Sequence, residues 1–179
     1  VFAARAGRRA PLDFLAQLER APAFAPGSVD PRAALAFEQA AFEAAGEFEP
    51  VELSPVAPAG AAKVLAGVHS NNVLTATRGA ELVSDPTIPL ALIAASRRRA
   101  PATRARPLRL CASHRVMRMQ PQGIGNSPHF RLFALLTAEQ RGREGQSLRE
   151  HIEVYLRLFR LLGERGHRIE DVQVDVSDT

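Results

Sequence analysis

The period of hydrophobic and polar positions changes several times along the chain, and each change marks an element. PLDFLAQLER repeats its apolar residues at helical spacing, and APAFAPGS after it is broken by proline and glycine, so residues 1–29 predict an arm holding one short helix. Asp30 before Pro31 marks a helix start, because the carboxylate can accept from free first-turn amides and proline suits the first turn. The pattern then runs to Gly46, with Leu35, Phe37, Ala41, Phe42 and Ala45 on its apolar side. EFEPVELSPVAP follows, a short extended run interrupted and closed by prolines, which predicts an edge strand.

NNVLTATRGAELVSD reads as a hairpin turning near Arg78 and Gly79, and SDPTIPLALIAASRRR caps and opens a buried helix. LRLCASHRVMRMQ and HFRLFALLTA are the longest strand candidates, joined by the loop 121–128 as antiparallel neighbours at the centre of the fold. Ser147 and Glu150 form a capping box for a long helix carrying Leu148, Ile152, Tyr155, Phe159 and Leu162, which Gly163 or Gly166 stops. In DVQVDVSD, Val172, Val174 and Val176 alternate with acidic or amide residues, which predicts a further strand of the same sheet. The expected class is α+β: a mainly antiparallel sheet with helices on one face and the other face open to a ligand, residues 30–179 forming a single domain.

Composition narrows the chemistry. A chain of 179 residues that is 46% apolar can support one core. The single cysteine, Cys111, excludes an internal disulfide framework and a multi-thiolate metal site, and the five histidines lack ligand spacing, so no metal-ligating residue is singled out. No run is long enough to span a bilayer and the first residues lack a secretory apolar stretch, which predicts a cytoplasmic protein without a membrane partner. The formal charge of +4 is carried almost wholly by arginine, clustered in SRRRAPATRARPLR at 96–109, a candidate surface for RNA phosphates. Ser113 and His114 fall on opposite faces of a strand and do not read as a catalytic pair.

Strand alternation sorts the two long arms. On the second, Phe130, Leu132, Ala134 and Leu136 form an apolar face, opposite His129, Arg131 and Phe133. On the first, Arg118 and Gln120 continue the face of Leu108, Leu110, Ala112 and Val116. If the register brought both polar sets together, guanidinium, imidazole, amide and aromatic ring would share one surface suited to a nucleotide.

The pair resembles motif 2 of class II aminoacyl-tRNA synthetases, an F-R-x-E strand, a loop and an R/H-x-x-x-F strand, here Met117-Arg118-Met119-Gln120 and His129-Phe130-Arg131-Leu132-Phe133. AFEAAGEFEPVELSP is similar to motif 1, closed by Pro55, through which these proteins dimerise. ELVSDPTIPLALIAAS is similar to the L-R-P-D/E-x-T segment of histidyl-tRNA synthetases and the ATP phosphoribosyltransferase regulatory subunit, and the long last helix to the one that follows motif 2. The resemblance implies ATP as cofactor, with Arg118 the catalytic contact to the α-phosphate, His129 on the outer phosphates, Phe133 stacked on adenine and Gln120 in place of the acidic residue that reads the adenine amino group. Asp85 and Thr87, together with Arg131, are the implied substrate contacts.

Motif 3, which supplies a second ATP-binding arginine, has no counterpart before Thr179, so complete amino acid activation is not expected. The implied function is a synthetase-like paralogue that binds a nucleotide, an amino acid or an adenylate-like ligand. The alternatives are a regulatory or scaffolding homodimer that binds a partner enzyme, and an RNA-binding module.

Overall fold

The structure, a computed structural model, describes residues 7, 9–76, 78–100, 106–119 and 127–176. Its centre is the expected antiparallel pair, β5 (Leu108–Met117) and β6 (His129–Ala138), in register from Leu108 opposite Ala138 to Met117 opposite His129. The short strand β1 (Glu49–Pro50) runs parallel to β5 at Leu110 and Cys111, as an edge closed by proline must. A second small sheet pairs β4 (Ala80–Leu82) with β2 (Val56–Pro58) and β3 (Thr75–Ala76). Arg78 and Gly79 both turn with positive φ, as a tight hairpin requires.

Five α-helices surround these strands among the described residues: α1 (Pro11–Arg20), α2 (Pro31–Ala44), α3 (Ala61–Ala66), α4 (Thr87–Arg97) and α5 (Glu144–Glu164). Asp30 accepts from the Arg32 amide at 2.8 Å, which starts α2 where the Asp-Pro pair predicts. α5 begins a turn before Ser147. Arg143 takes the cap position, Ser147 Oγ donates to Glu139, and Glu150 receives Arg109 at 2.8 and 2.9 Å, so the expected capping box does not form. Gly166, at φ 85°, ends α5, with the Gly166 amide on the Gly163 carbonyl and the His167 amide on that of Leu162.

Helices cover both faces of the central pair, not one. Leu90 and Ala94 of α4 pack with Leu53 on Leu110, Ala112 and Ala134, while the small sheet sets Ala57 and Val83 against Val116 on the same side. Ala40, Ala41 and Ala44 of α2 and Val154, Leu158 and Leu162 of α5 close over Cys111 and Leu135 on the other. Small residues let α2 and α5 lie close to the strands and to each other. Leu35, expected on the packed side of α2, is 66% exposed instead. The apolar surface of β5 and β6 alternates between two greasy faces, which is why no face remains fully open.

The expected strand at the C-terminal end is also absent. Residues 167–176 carry no strand and Val172, Val174 and Val176 are exposed. Alternation records one-sidedness, but a strand also needs an edge to pair with and a layer to receive its apolar side. After the turn at Gly166 Ile169 packs against the core, but the three valines meet neither among the described residues. No helix among them is long and apolar enough to cross a membrane.

Candidate functional site

Strand register decides which expected site residues meet. Residues directly opposite in an antiparallel pair share a face. The Arg118 amide extends the ladder by donating to the Pro128 carbonyl at 2.8 Å, so Arg118 stands on the side of Val116 and Phe130. His129, Arg131 and Phe133 stand on the opposite side with Met117, Arg115 and Ser113. The expected common surface of Arg118, His129 and Phe133 is therefore not formed. Gln120 lies outside the described residues.

Each displaced residue has a structural partner. His129 Nδ1 is 2.7 Å from Arg115 Nη2 and its Nε2 is 2.8 Å from the Ala25 carbonyl, tying the N-terminal arm to the hairpin. Arg131 pairs with Glu38 of α2 at 2.5 Å. Phe133 meets Phe42 edge-on with centroids 5.6 Å apart, and its carbonyl accepts from Tyr155 at 3.3 Å. These three serve the packing of α2, α5 and the arm.

Arg118 instead joins Asp85 and Thr87, two residues that the sequence links to it only through resemblance. Its Nε donates to the Ser84 carbonyl at 2.9 Å and its Nη2 to Asp85 Oδ2 at 3.2 Å. Asp85 Oδ1 accepts from the Thr87 amide at 2.9 Å and from the Thr87 hydroxyl at 2.7 Å, at the start of α4. The Phe130 ring lies beneath the guanidinium, 5.4 Å from its centroid. Ser84 is buried, with Oγ unpartnered among the described residues. The cluster holds one cation and one anion side by side, both about one-third exposed, over an aromatic ring. The remaining guanidinium N–H groups have no hydrogen bond to a described residue and can turn to a ligand.

Phe130 and Ser84 are the members that sequence reasoning missed. The signal for Phe130 was present. The apolar rows Leu108, Leu110, Ala112, Val116 and Phe130, Leu132, Ala134, Leu136 had to face one another, which carries Arg118 to the side of Phe130.

The chain superposes on a pyrrolysyl-tRNA synthetase from Desulfitobacterium hafniense with a TM-score of 0.59 and 16% identity, over 83% of this chain and 52% of that one. A second structure of that enzyme gives 0.58 and 18%, over 82% and 52%. An ATP phosphoribosyltransferase regulatory subunit/histidyl-tRNA synthetase from Bacillus halodurans C gives 0.53 and 17%, over 74% and 36%. The fold is that of a class II aminoacyl-tRNA synthetase core. This synthetase-like chain spans about half the length of the first two proteins and about a third of the last. No family model and no curated protein matches its sequence.

Other chemistry in the synthetase-like core is limited. Burial pushes the Cys111 thiol up to about 11, so it stays protonated and un-nucleophilic at neutral pH. No cluster of three or more His, Cys, Asp or Glu among the described residues could hold a metal ion. Arg97 pairs with Glu49 at 2.8 Å and Arg109 with Glu150, so part of the arginine-rich stretch ties secondary structure together, while residues 101–105 lie outside the description.

Titration makes the fold acid-sensitive. Burial lowers His151, which lies 2.9 Å from the Thr137 hydroxyl, and also lowers His114, while the hydrogen bond from Arg109 lowers Glu150. A folded-state pKa below the unfolded value means the unfolded chain binds the proton more readily. Stability is therefore full above the ordinary histidine value of about 6.5, falls as the pH drops below it, and falls again below the carboxylate range. A melting-temperature series from pH 8 to 4 is expected to decline toward acid, and His151→Gln is expected to flatten its upper part. A curve that is level between pH 7 and 5 contradicts this assignment.

Proposed function

We propose that the chain binds a small zwitterionic or adenylate-like ligand, an amino acid or its adenylate, at Arg118, Asp85 and Thr87. The observation that carries the reading is the side-by-side placement of Arg118 and Asp85 above the Phe130 ring. An α-carboxylate or a single phosphate suits the free edge of the guanidinium, an α-amine suits Asp85, and the ring supplies a flat apolar surface. The synthetase fold supports the same reading, since Met117–Gln120 and the start of α4 are the segments whose sequence resembles that family's.

ATP as an intact triphosphate is less well served. The residues expected for its outer phosphates and adenine, His129 and Phe133, stand across the sheet from Arg118 and are tied elsewhere. Arg118 with Phe130 accommodates one phosphate and one ring, which favours a mononucleotide or adenylate over a triphosphate. No bond-making step is assigned.

The test is thermal stabilisation by the individual amino acids, AMP, ATP and aminoacyl-sulfamoyl adenosines. At least one amino acid or adenylate analogue is expected to raise the melting temperature. Arg118→Ala is expected to weaken its binding about 100-fold, the scale of losing a charge-assisted contact. Shifts that are unchanged in Arg118→Ala, or absent for every compound, rule the reading out. The homodimeric regulatory reading would then stand, supported by the exposed Leu12, Leu15 and Leu18 of α1 and Leu35 of α2.

A further inference from the structure

The small sheet leaves one of its faces bare. Residues directly opposite in neighbouring strands share a face, so Val56 stands with Leu82, and Pro58 and Ala76 both stand with Ala80. The Leu82 amide donates to the Leu74 carbonyl at 2.8 Å, which brings Leu74 into the same row. Val56, Pro58, Leu74, Ala76, Ala80 and Leu82 therefore make a face without a polar side chain, and none of the six is buried. The reverse face is the packed one, with Ala57 and Glu81 buried. An apolar sheet face open to water marks an interaction surface.

A second bare surface belongs to α1. Its Leu12, Phe14, Leu15 and Leu18 are between 46% and 74% exposed, and the helix buries none of its residues. A helix of ten residues is marginal in water by propensity alone, so this stripe needs a surface to lie on. Its own chain does not supply one. α1 runs directly into the 3-10 turn Pro22–Phe24, with the Ala21 amide on the Gln17 carbonyl and the Phe24 amide on that of Ala21. Ala25 then accepts from His129, and Gly27 lies against Arg115. This hydrogen-bonded, proline-flanked joint holds α1 clear of the sheet, although the pivot itself borders it across a cleft of about 390 Å³ lined by Pro26, Pro55 and Leu82.

We infer that two copies of the chain associate by exchanging arms, α1 of each lying on the bare face of the other's small sheet. Size agrees, since ten helical residues span about 15 Å and three strands at about 4.8 Å spacing offer a face of similar width. Charge agrees as well. Glu19 follows Leu15 by one turn on the same side of α1, and the exposed Arg78 sits in the turn that joins β3 to β4, with no acidic side chain on the face. Each copy supplies one arm and one face, so a two-fold arrangement closes and leaves neither bare. The stripe and the face bring roughly 600 Å² of apolar surface into each contact, and the two contacts together reach the roughly 1,200 Å² at which specific interfaces begin. The Arg118 site takes no part in this.

Sedimentation of the whole chain over a micromolar concentration series tests the exchange, with Leu15→Glu in the arm, Leu74→Glu on the face and Leu156→Glu on the exposed side of α5 as the control. The wild type and Leu156→Glu are expected to be dimers. Leu15→Glu and Leu74→Glu are each expected to weaken association about 100-fold or more, because symmetry places the new charge in both contacts. All three side chains are exposed, so the variants are expected to melt as the wild type monomer does. Mixing Leu15→Glu with Leu74→Glu separates arm exchange from any other dimer. The face of the first and the arm of the second are intact, so the mixture is expected to associate more tightly than either variant alone. A monomeric wild type overturns the inference, including one that Leu15→Glu destabilises, which would put α1 on its own chain. A dimer that survives both substitutions overturns it, as does a mixture that associates no better than its components.

Discussion

Glu81→Ala is expected to lower the stability of the fold by about 1–3 kcal/mol, since it strips one buried and one partly buried amide bond of their acceptor. Glu81 is 4% exposed and lies on the central strand of the small sheet. One carboxylate oxygen accepts from the Gly60 amide at 2.7 Å and the other from the Ala62 amide at 2.8 Å, so the side chain serves as the cap of α3 from across the chain. Glu81→Gln keeps one acceptor oxygen and is expected to lose less. Urea denaturation measures both, as a lower midpoint at an unchanged slope. An alanine variant within about 0.5 kcal/mol of wild type would show that the capping bonds have no net value.

The second large effect is expected at Leu90, which is fully buried in α4 against Leu110 and Ala112 of β5. Truncation to alanine removes the leucine's transfer energy and leaves a cavity, together about 2–5 kcal/mol. The consequence reaches the site, because α4 begins at Thr87 and carries the carboxylate turn of Asp85 into contact with Arg118. Leu90→Ala is therefore expected to reduce ligand-induced stabilisation as well as basal stability. Leu92→Ala, on the same helix but 36% exposed, is the control and is expected to change both by little. Equal losses in the two variants would deny that the buried side of α4 positions the site.

Most elements were legible because their signals are local. Asp30 with Pro31, the Arg78-Gly79 turn and the β-branched and apolar runs of β5 and β6 depend on neighbours within a few residues. Layering was not legible in the same way. Alternation assigns each side chain of β5 and β6 to a face, but it does not say which distant helix covers that face. Cys111 and Leu135 could have looked onto water or onto α2 and α5, and only the small residues Ala40, Ala41 and Ala44 decide it.

The candidate site shows the same division between what is near and what is far. Asp85 and Thr87 were legible only through the family likeness, which puts them near a substrate amine; nothing in the sequence paired them with Arg118. Phe133 was preferred over Phe130 because a motif fixes residue order, whereas register fixes sides. The end of the chain misled for a different reason: Val172, Val174 and Val176 alternate as a strand does, yet the free energy of pairing comes from the surface that receives it.

Ala25 holds His129 and Gly27 sits so near Arg115 that a methyl group there would meet its guanidinium at 2.6 Å. Upstream of that pivot, α1 buries none of its own residues. The pivot stands on the α2 side of the hairpin, with Arg131 and Phe133. The tie that fixes the arm is thus made on one side of the hairpin and the ion pair of Arg118 on the other.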